Sequence, residues 1–143
     1  MINNPKLEEV KRLLKNEESP KVVLAQDDEF NRKILEYGGF DILFSVEKGD
    51  RKNKIRQEDS GLNHVLSTIA KNKGIAIGIN LEEISKLPPK EKAKRLTKII
   101  QNIKVCLKSK TRIAIKTNNL QKAKDFLIEL GASTQQVKET IVF

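Results

Sequence analysis

Apolar positions along this chain recur at two periods, and the switches between them mark the elements. In LEEVKRLLK, Leu7, Val10, Leu13 and Leu14 fall on one helical face. Ser19-Pro20 ends that helix, because proline disfavours helical geometry at the residue before it. KVVLAQ then reads as a strand, with Asp27 or Asp28 as the N-cap of a helix whose apolar face is Phe30, Ile34 and Tyr37. Gly38-Gly39 terminate it, and DILFSVE (Asp41–Glu47) is a second short strand, apolar almost throughout. It empties into KGDRKNKIRQEDSG, a loop dense in Arg and Lys. A helix over Leu62–Lys73 follows, with Leu62, Val65, Leu66 and Ile69 inward and Asp59 or Ser60 as its simplest cap. IAIGINL is the third strand.

The second half repeats the rhythm. LEEISKLPPKEK is a short connection, and Pro88-Pro89 start the longest helix, Lys90–Ser109. Ala93, Leu96, Ile100, Ile103 and Leu107 recur there at spacings of three and four, so this helix is expected to lie against a sheet. TRIAIKT is the fourth strand, and Asn119 can cap LQKAKDFLIELG, with Leu120, Ala123, Leu127 and Leu130 inward. Thr134 can cap a last helix over TQQVKETIVF. Short apolar strands alternating with helices predict an α/β fold with a parallel sheet of about four strands. A doubly wound open sheet and a piece of a (β/α) barrel fit this pattern equally well.

Charge changes the picture more than composition does. With 28 Lys+Arg against 19 Asp+Glu the formal charge is +9, which favours nucleic acid or an anionic membrane surface as partner. At 143 residues the chain is most simply one domain, residues 1–143, with a real core. A single cysteine excludes an internal disulfide and fits a reducing compartment. No run reaches transmembrane length and MINNPKLEEVKR has no signal-peptide core, so the expectation is a cytoplasmic protein without a membrane partner.

The cations are grouped. A loop leaving the carboxyl end of a parallel strand is where α/β proteins hold ligands, and this one carries Arg51, Lys52, Lys54 and Arg56. Arg forks to phosphate oxygens and Lys supplies a point charge, although Glu47, Asp50, Glu58 and Asp59 interleave and would also suit a solvated loop. A second basic run, Lys90, Lys92, Lys94, Arg95, Lys98, Lys104, Lys108, Lys110 and Arg112, is opposed by Glu91 alone. Lys90, Lys94 and Lys98 stand at i, i+4, where like charges repel and a polyanion would relieve them. An ordinary solvated helix face usually mixes both signs. With no Trp and one Tyr, stacking on single-stranded bases is improbable, so the expected partner is folded RNA read through phosphates and shape.

DILFS, then DSGLNHVL (Asp59–Leu66), then GIAIGINLEEI (Gly74–Ile84), with VVLAQDDEFNRKILEYGGFD before them, resemble the protein component 3 family of archaeal and eukaryotic ribonuclease P. That family has a segment of the type D-x-G-x-x-H-V-L after an Arg/Lys pair and a strand of the type V-A-I-x-x-N/S-L one helix later. The resemblance runs over about residues 21–125, with weaker echoes over 5–15 and 134–140. It implies a TIM-type (β/α) barrel fold, here truncated, and a subunit of the ribonucleoprotein that removes 5′ leaders from precursor tRNA. The RNA is the catalyst there, so the resemblance implies no catalytic residue and no cofactor in this chain. The partners it implies are ribonuclease P RNA, precursor tRNA indirectly, a Pop5-type protein subunit and the other ribonuclease P proteins.

The departures are specific. The chain lacks the family's first two strands and the helix between them, and ELGAST leaves almost no room for the strand that normally follows that helix. Four strands leave both sheet edges exposed, to be shielded by a partner or by a second copy in a homodimer. Gln57 and Glu58 stand between Arg56 and the family aspartate, and Lys116-Thr117-Asn118 replace a serine-rich strand end.

By resemblance His64 matches the family histidine and serves either RNA contact or the helix start; both readings stand equally. Lys116, at the carboxyl end of a strand, is either a ligand contact or an exposed strand end. Lys124, in a Lys-Asp pair that matches the family's, is a further RNA-contact candidate. The rival class is a metal-dependent phosphoesterase of the related phosphatase-barrel type. One His, one Cys and no H-x-H cannot supply its ligand cluster, and no metal site is expected. A generic basic RNA-binding protein is the other alternative.

Overall fold

The computed structural model describes residues 1–49 and 59–143. The order of elements is α1 (Leu7–Leu14), β1 (Val22–Leu24), α2 (Asp28–Tyr37), β2 (Ile42–Phe44), α3 (His64–Asn72), β3 (Ala76–Asn80), α4 (Leu81–Ser85), α5 (Pro89–Ser109), β4 (Ile113–Lys116), α6 (Leu120–Glu129), α7 (Thr134–Lys138) and β5 (Ile141–Val142). The five strands are all parallel and lie in the order β1-β2-β3-β4-β5. The sheet is open, with β1 and β5 at its two edges.

Alternation along each strand sorts the side chains between two faces. Val23, Leu43, Ile77, Ile79, Ile113 and Ile115 join one core with the buried residues of the helices. Val22, Ile42, Phe44, Ala76 and Ala114 form a second cluster on the other face, where, among the described residues, only strand residues and Phe143 meet. All the helices that contribute to a core therefore lie on one side of the sheet, and each strand neighbours the one before it. A doubly wound sheet would reverse its strand order and put helices on both faces, so this sheet is singly wound.

The helix-free face is nonetheless dry. Ile42 is 1% and Phe44 2% exposed, with no helix among the described residues packed on them. A Cβ on Gly78 would sit 2.6 Å from Ile42 Cγ2 and 3.0 Å from Phe44 Cδ2, so the large side chains of β2 lie directly over β3. Phe143 closes the other flank, its ring 5.4 Å from that of Phe44 in an edge-to-face contact.

The expected last helix over TQQVKETIVF is half right. Gly131 (φ 87°) stops α6, and Ser133 with Gln136 forms a capping box that starts α7. That helix ends at Lys138, and Ile141-Val142 pair with Ala114 and Ile115 as a fifth strand instead of continuing it. The strand thought to have no room after ELGAST comes after one further helical turn. At the opposite edge Ile2 lies parallel to Val23: its N–H donates to Val22 O at 2.8 Å, and Leu24 N–H to Ile2 O at 2.9 Å.

The expected faces are seated as read at Val10, Leu14, Phe30, Ile34, Leu62, Leu66, Ile103, Ala123 and Leu127, and each helix leaves one or two of its expected residues outside. Leu13, Tyr37, Val65, Leu107 and Leu120 are exposed, and so is Ala93. On α5 the buried stripe is Ile99, Asn102, Ile103 and Cys106, because this helix leans on α3 as well as on the sheet. Where α3 and α5 meet, the hydroxyls of Ser67, Ser109 and Thr111 bond one another, and Thr111 Oγ1 also donates to Ser67 O at 2.8 Å. Burial pushes the Cys106 thiol up to about 12, a hydrogen bond with Ser67 offsetting part of it, so this cysteine is a core residue without thiolate reactivity.

Candidate nucleic-acid interface

The carboxyl end of the sheet is built by caps. Asn80, the last residue of β3, accepts Glu83 N–H on its side chain at 3.1 Å and so starts α4 immediately after the strand. This fixes Glu83 above the sheet, and Pro89 at the first position of α5 turns the chain back toward it. On β2 the chain leaves Phe44 through Ser45 in the left-handed region (φ 62°), with Ser45 N–H donating to Gly78 O at 3.0 Å. That sharp exit buries Glu47.

Glu47 is 1% exposed and receives Arg95 Nη2 at 3.0 Å, while Arg95 Nη1 reaches Glu83 at 2.8 Å. Lys48 Nζ completes the chain on Glu83 at 3.0 Å. Burial pushes the Glu47 carboxyl above its ordinary range, since a guanidinium shared with Glu83 only partly replaces lost water. Partial burial works the same way on Glu83, but its bonds to Arg95 and Lys48 outweigh it and hold that carboxyl below its usual value. Burial also disfavours the Arg95 charge, and the two carboxylates together more than restore it. Four alternating charges thus tie the root of the basic loop to α4 and α5.

Above this chain lies an open groove of about 510 Å3 whose rim includes Lys48, Gly49, Lys94 and Lys98. The fold therefore brings Lys94 and Lys98, predicted from helical spacing, beside the start of the loop predicted from strand-end position. Lys90 is exposed near the start of α5, outside the groove lining. Arg95, grouped by sequence with the basic run, faces inward at 12% side-chain exposure and belongs to the ion-pair chain. Arg51, Lys52, Lys54 and Arg56 lie outside the described residues.

The other expected residues are dispersed. Lys116 ends β4 in register with Asn80 and, by alternation with Ile115, projects from the helix-free face. Lys124 is half-buried on α6, beside Asp125, which accepts from Gln121 Nε2 at 2.9 Å. His64 is the first residue of α3 and exposed; its ring bonds no described residue, while its carbonyl accepts Thr68 Oγ1 at 2.7 Å. The cap of α3 is neither Asp59 nor Ser60 but Asn63, whose side chain accepts Leu66 N–H at 2.9 Å. Asp59 holds Gly61 N–H at 3.1 Å, and buried Ser60 donates to Leu62 O while its carbonyl accepts Asn102 Nδ2. The residues missed by sequence reasoning are Glu47 and Glu83, whose partners lie 48 and 12 positions away. No periodicity reports pairs so distant.

Among the described residues, no group of three or more His, Cys, Asp and Glu is placed to hold a metal ion. No helix of the described residues is long and apolar enough to cross a membrane.

No protein-family model and no curated protein sequence matches this chain. Solved structures do: one covers 97% of the chain with a TM-score of 0.72 at 22% identity. That neighbour is a chain in a cryo-EM structure of archaeal ribonuclease P with mature tRNA. The present chain spans 60% of the ribonuclease P chain's length and shares its fold. At 22% identity this likeness is one of fold.

Proposed function

We propose that this chain is an RNA-binding protein subunit of ribonuclease P, supporting RNA-catalysed removal of the 5′ leader from precursor tRNA and taking no part in the bond-breaking itself. The observation that carries the reading is the agreement between the motif resemblance and the fold of a chain in archaeal ribonuclease P. The groove at the carboxyl end adds Lys94 and Lys98, which form no ion pair with a described residue and outnumber Glu91, while Lys48 and Arg95 are matched there by Glu83 and Glu47.

In this reading the singly wound sheet is a segment of a (β/α) barrel, residues 1–143 act as one body, and the RNA contacts are Arg51, Lys52, Lys54, Arg56, His64, Lys90, Lys94, Lys98, Lys116 and Lys124. Ribonuclease P RNA is the direct partner, precursor tRNA is reached through it, and a Pop5-type subunit and the other ribonuclease P proteins complete the particle, in the cytoplasm. The ion-pair chain then has a purpose: it anchors the loop's first residue, Lys48, against α4, so the loop's cations start from a fixed point.

Reconstitution tests this directly. The purified chain is combined with ribonuclease P RNA of the same source, its protein partners and precursor tRNA, and leader removal is followed at low Mg2+ with and without the chain. A rate gain requiring both RNA and this chain is expected. Salt-sensitive RNA binding without any gain would reduce the reading to a generic basic RNA-binding protein, and leader removal by the protein alone would overturn its non-catalytic assignment.

A further inference from the structure

The cations left over at the carboxyl-end groove gather at the other end of the sheet. Lys71 lies in the last turn of α3, Lys110 caps α5 in the left-handed region (φ 61°), and Arg112 directly precedes β4. All three are exposed, and all three line one cavity of about 420 Å3 between the amino end of β4 and α7. Glu139 is the only acid in that lining, and it already accepts Gln135 Nε2. None of the three cations forms an ion pair with a described residue, whereas Lys11, Arg12, Arg32 and Lys33 on α1 and α2 all do.

Helix dipoles explain part of this. A cation at each helix C-terminus offsets the partial negative charge there, and Lys71 and Lys110 satisfy that for α3 and α5. Arg112 is at no helix end, and exposed Lys73 and Lys108 stand close by in sequence, so the cluster exceeds what two dipoles call for. Further lysines stand on α5 between it and the first groove. Lys104 and Lys108 are exposed along α5, and at 1.5 Å per residue Lys94 and Lys110 are about 24 Å apart.

We propose that the cavity lined by Lys71, Lys110 and Arg112 is a second phosphate-backbone site, at the amino end of the sheet, through which the chain grips a separate stretch of the same folded RNA. The inference rests on the RNA-binding reading above and deepens it: one rigid helix, α5, spaces two anion sites at opposite ends of the sheet. Its ligand is a folded polyanion, because isolated anions would gain nothing from that spacing.

Two variants separate the sites: Lys71→Gln/Lys110→Gln/Arg112→Gln at the amino end and Lys94→Gln/Lys98→Gln at the groove. Affinity for ribonuclease P RNA is measured against KCl concentration, with hydroxyl-radical footprints of each complex. The amino-end variant is expected to bind about tenfold more weakly, to lower the salt slope by roughly 2 to 3, and to lose a protected RNA tract that the groove variant keeps. Should the triple variant lose melting temperature, Arg112→Gln alone carries the test, with a slope lower by about one. An unchanged slope and footprint in the amino-end variant, with the groove variant still impaired, would overturn the second site and leave the RNA reading standing. The same unchanged RNA binding with lost retention of the other protein subunits would assign the cavity to a protein partner, which also overturns the proposal. Absence of RNA binding by the unaltered chain would overturn the functional reading itself.

Discussion

At the residue scale the most consequential side chain is Arg95. It lies between two carboxylates, one of them buried at 1% exposure, and it is held from a helix while its partners come from a strand end and a short helix. Removing one partner of a buried pair leaves an uncompensated charge, so Arg95→Ala should lose about 3–5 kcal/mol in denaturant unfolding. The loss should depend on pH in a fixed sense. Glu47 already titrates above its ordinary 4.5 in the folded state, and without Arg95 it should do so more strongly. Between 4.5 and the raised value the unfolded chain holds fewer protons than the folded one, so stability falls as pH rises across that window. Urea midpoints of the variant at pH 5 and pH 8 check this, the larger deficit being expected at pH 8. Gly78 is the second critical position, for a steric reason. A Cβ would come within 2.6 Å of Ile42 Cγ2, so Gly78→Ala should cost about 1–3 kcal/mol through overpacking, read as a lower urea midpoint at constant slope.

At the element scale, α5 carries two charges of meaning on one rod. Its buried stripe of Ile99, Ile103 and Cys106 seats it, and its exposed lysines remain turned outward. Lys90, Lys94 and Lys98 repel one another at i, i+4, so a helix optimised only for stability would alternate signs here. Lys94→Glu should therefore raise thermal stability by a few tenths of a kcal/mol while weakening RNA binding and lowering its salt slope by about two, since one cation is lost and one anion gained. Melting curves and salt titrations of the same variant test the opposed signs together; a parallel change would show that the helix face does not serve RNA. The element most mistaken from sequence is the C-terminal one. TQQVKETIVF contains a good cap and helical spacing at its start, and the β-rich run Thr140-Ile141-Val142-Phe143 at its end. What decides between continuing the helix and adding a strand is the free edge of β4, where Ile115 O accepts Phe143 N–H at 3.2 Å.

At the scale of the molecule, the open sheet does not leave an open core. On the second face Ile42 and Phe44 lie over Gly78 and are already 1% and 2% exposed, so they offer little apolar area for a second copy to bury. The isolated chain is accordingly expected to sediment as a 16.2 kDa monomer at micromolar concentration. A concentration-dependent dimer would restore mutual edge closure as the way this sheet is shielded. Sequence alone determined the α/β alternation, the parallel sheet, four of the five strands, the basic helix and the family resemblance, because periodicity, caps and local charge are short-range signals. The tertiary structure decided what depends on distant partners: the single winding, the fifth strand, the turn of α5 about its axis, and the conversion of Arg95 from a surface cation into a buried tie between Glu47 and Glu83. Those outcomes follow from which surfaces meet across tens of residues, and no local pattern encodes that meeting.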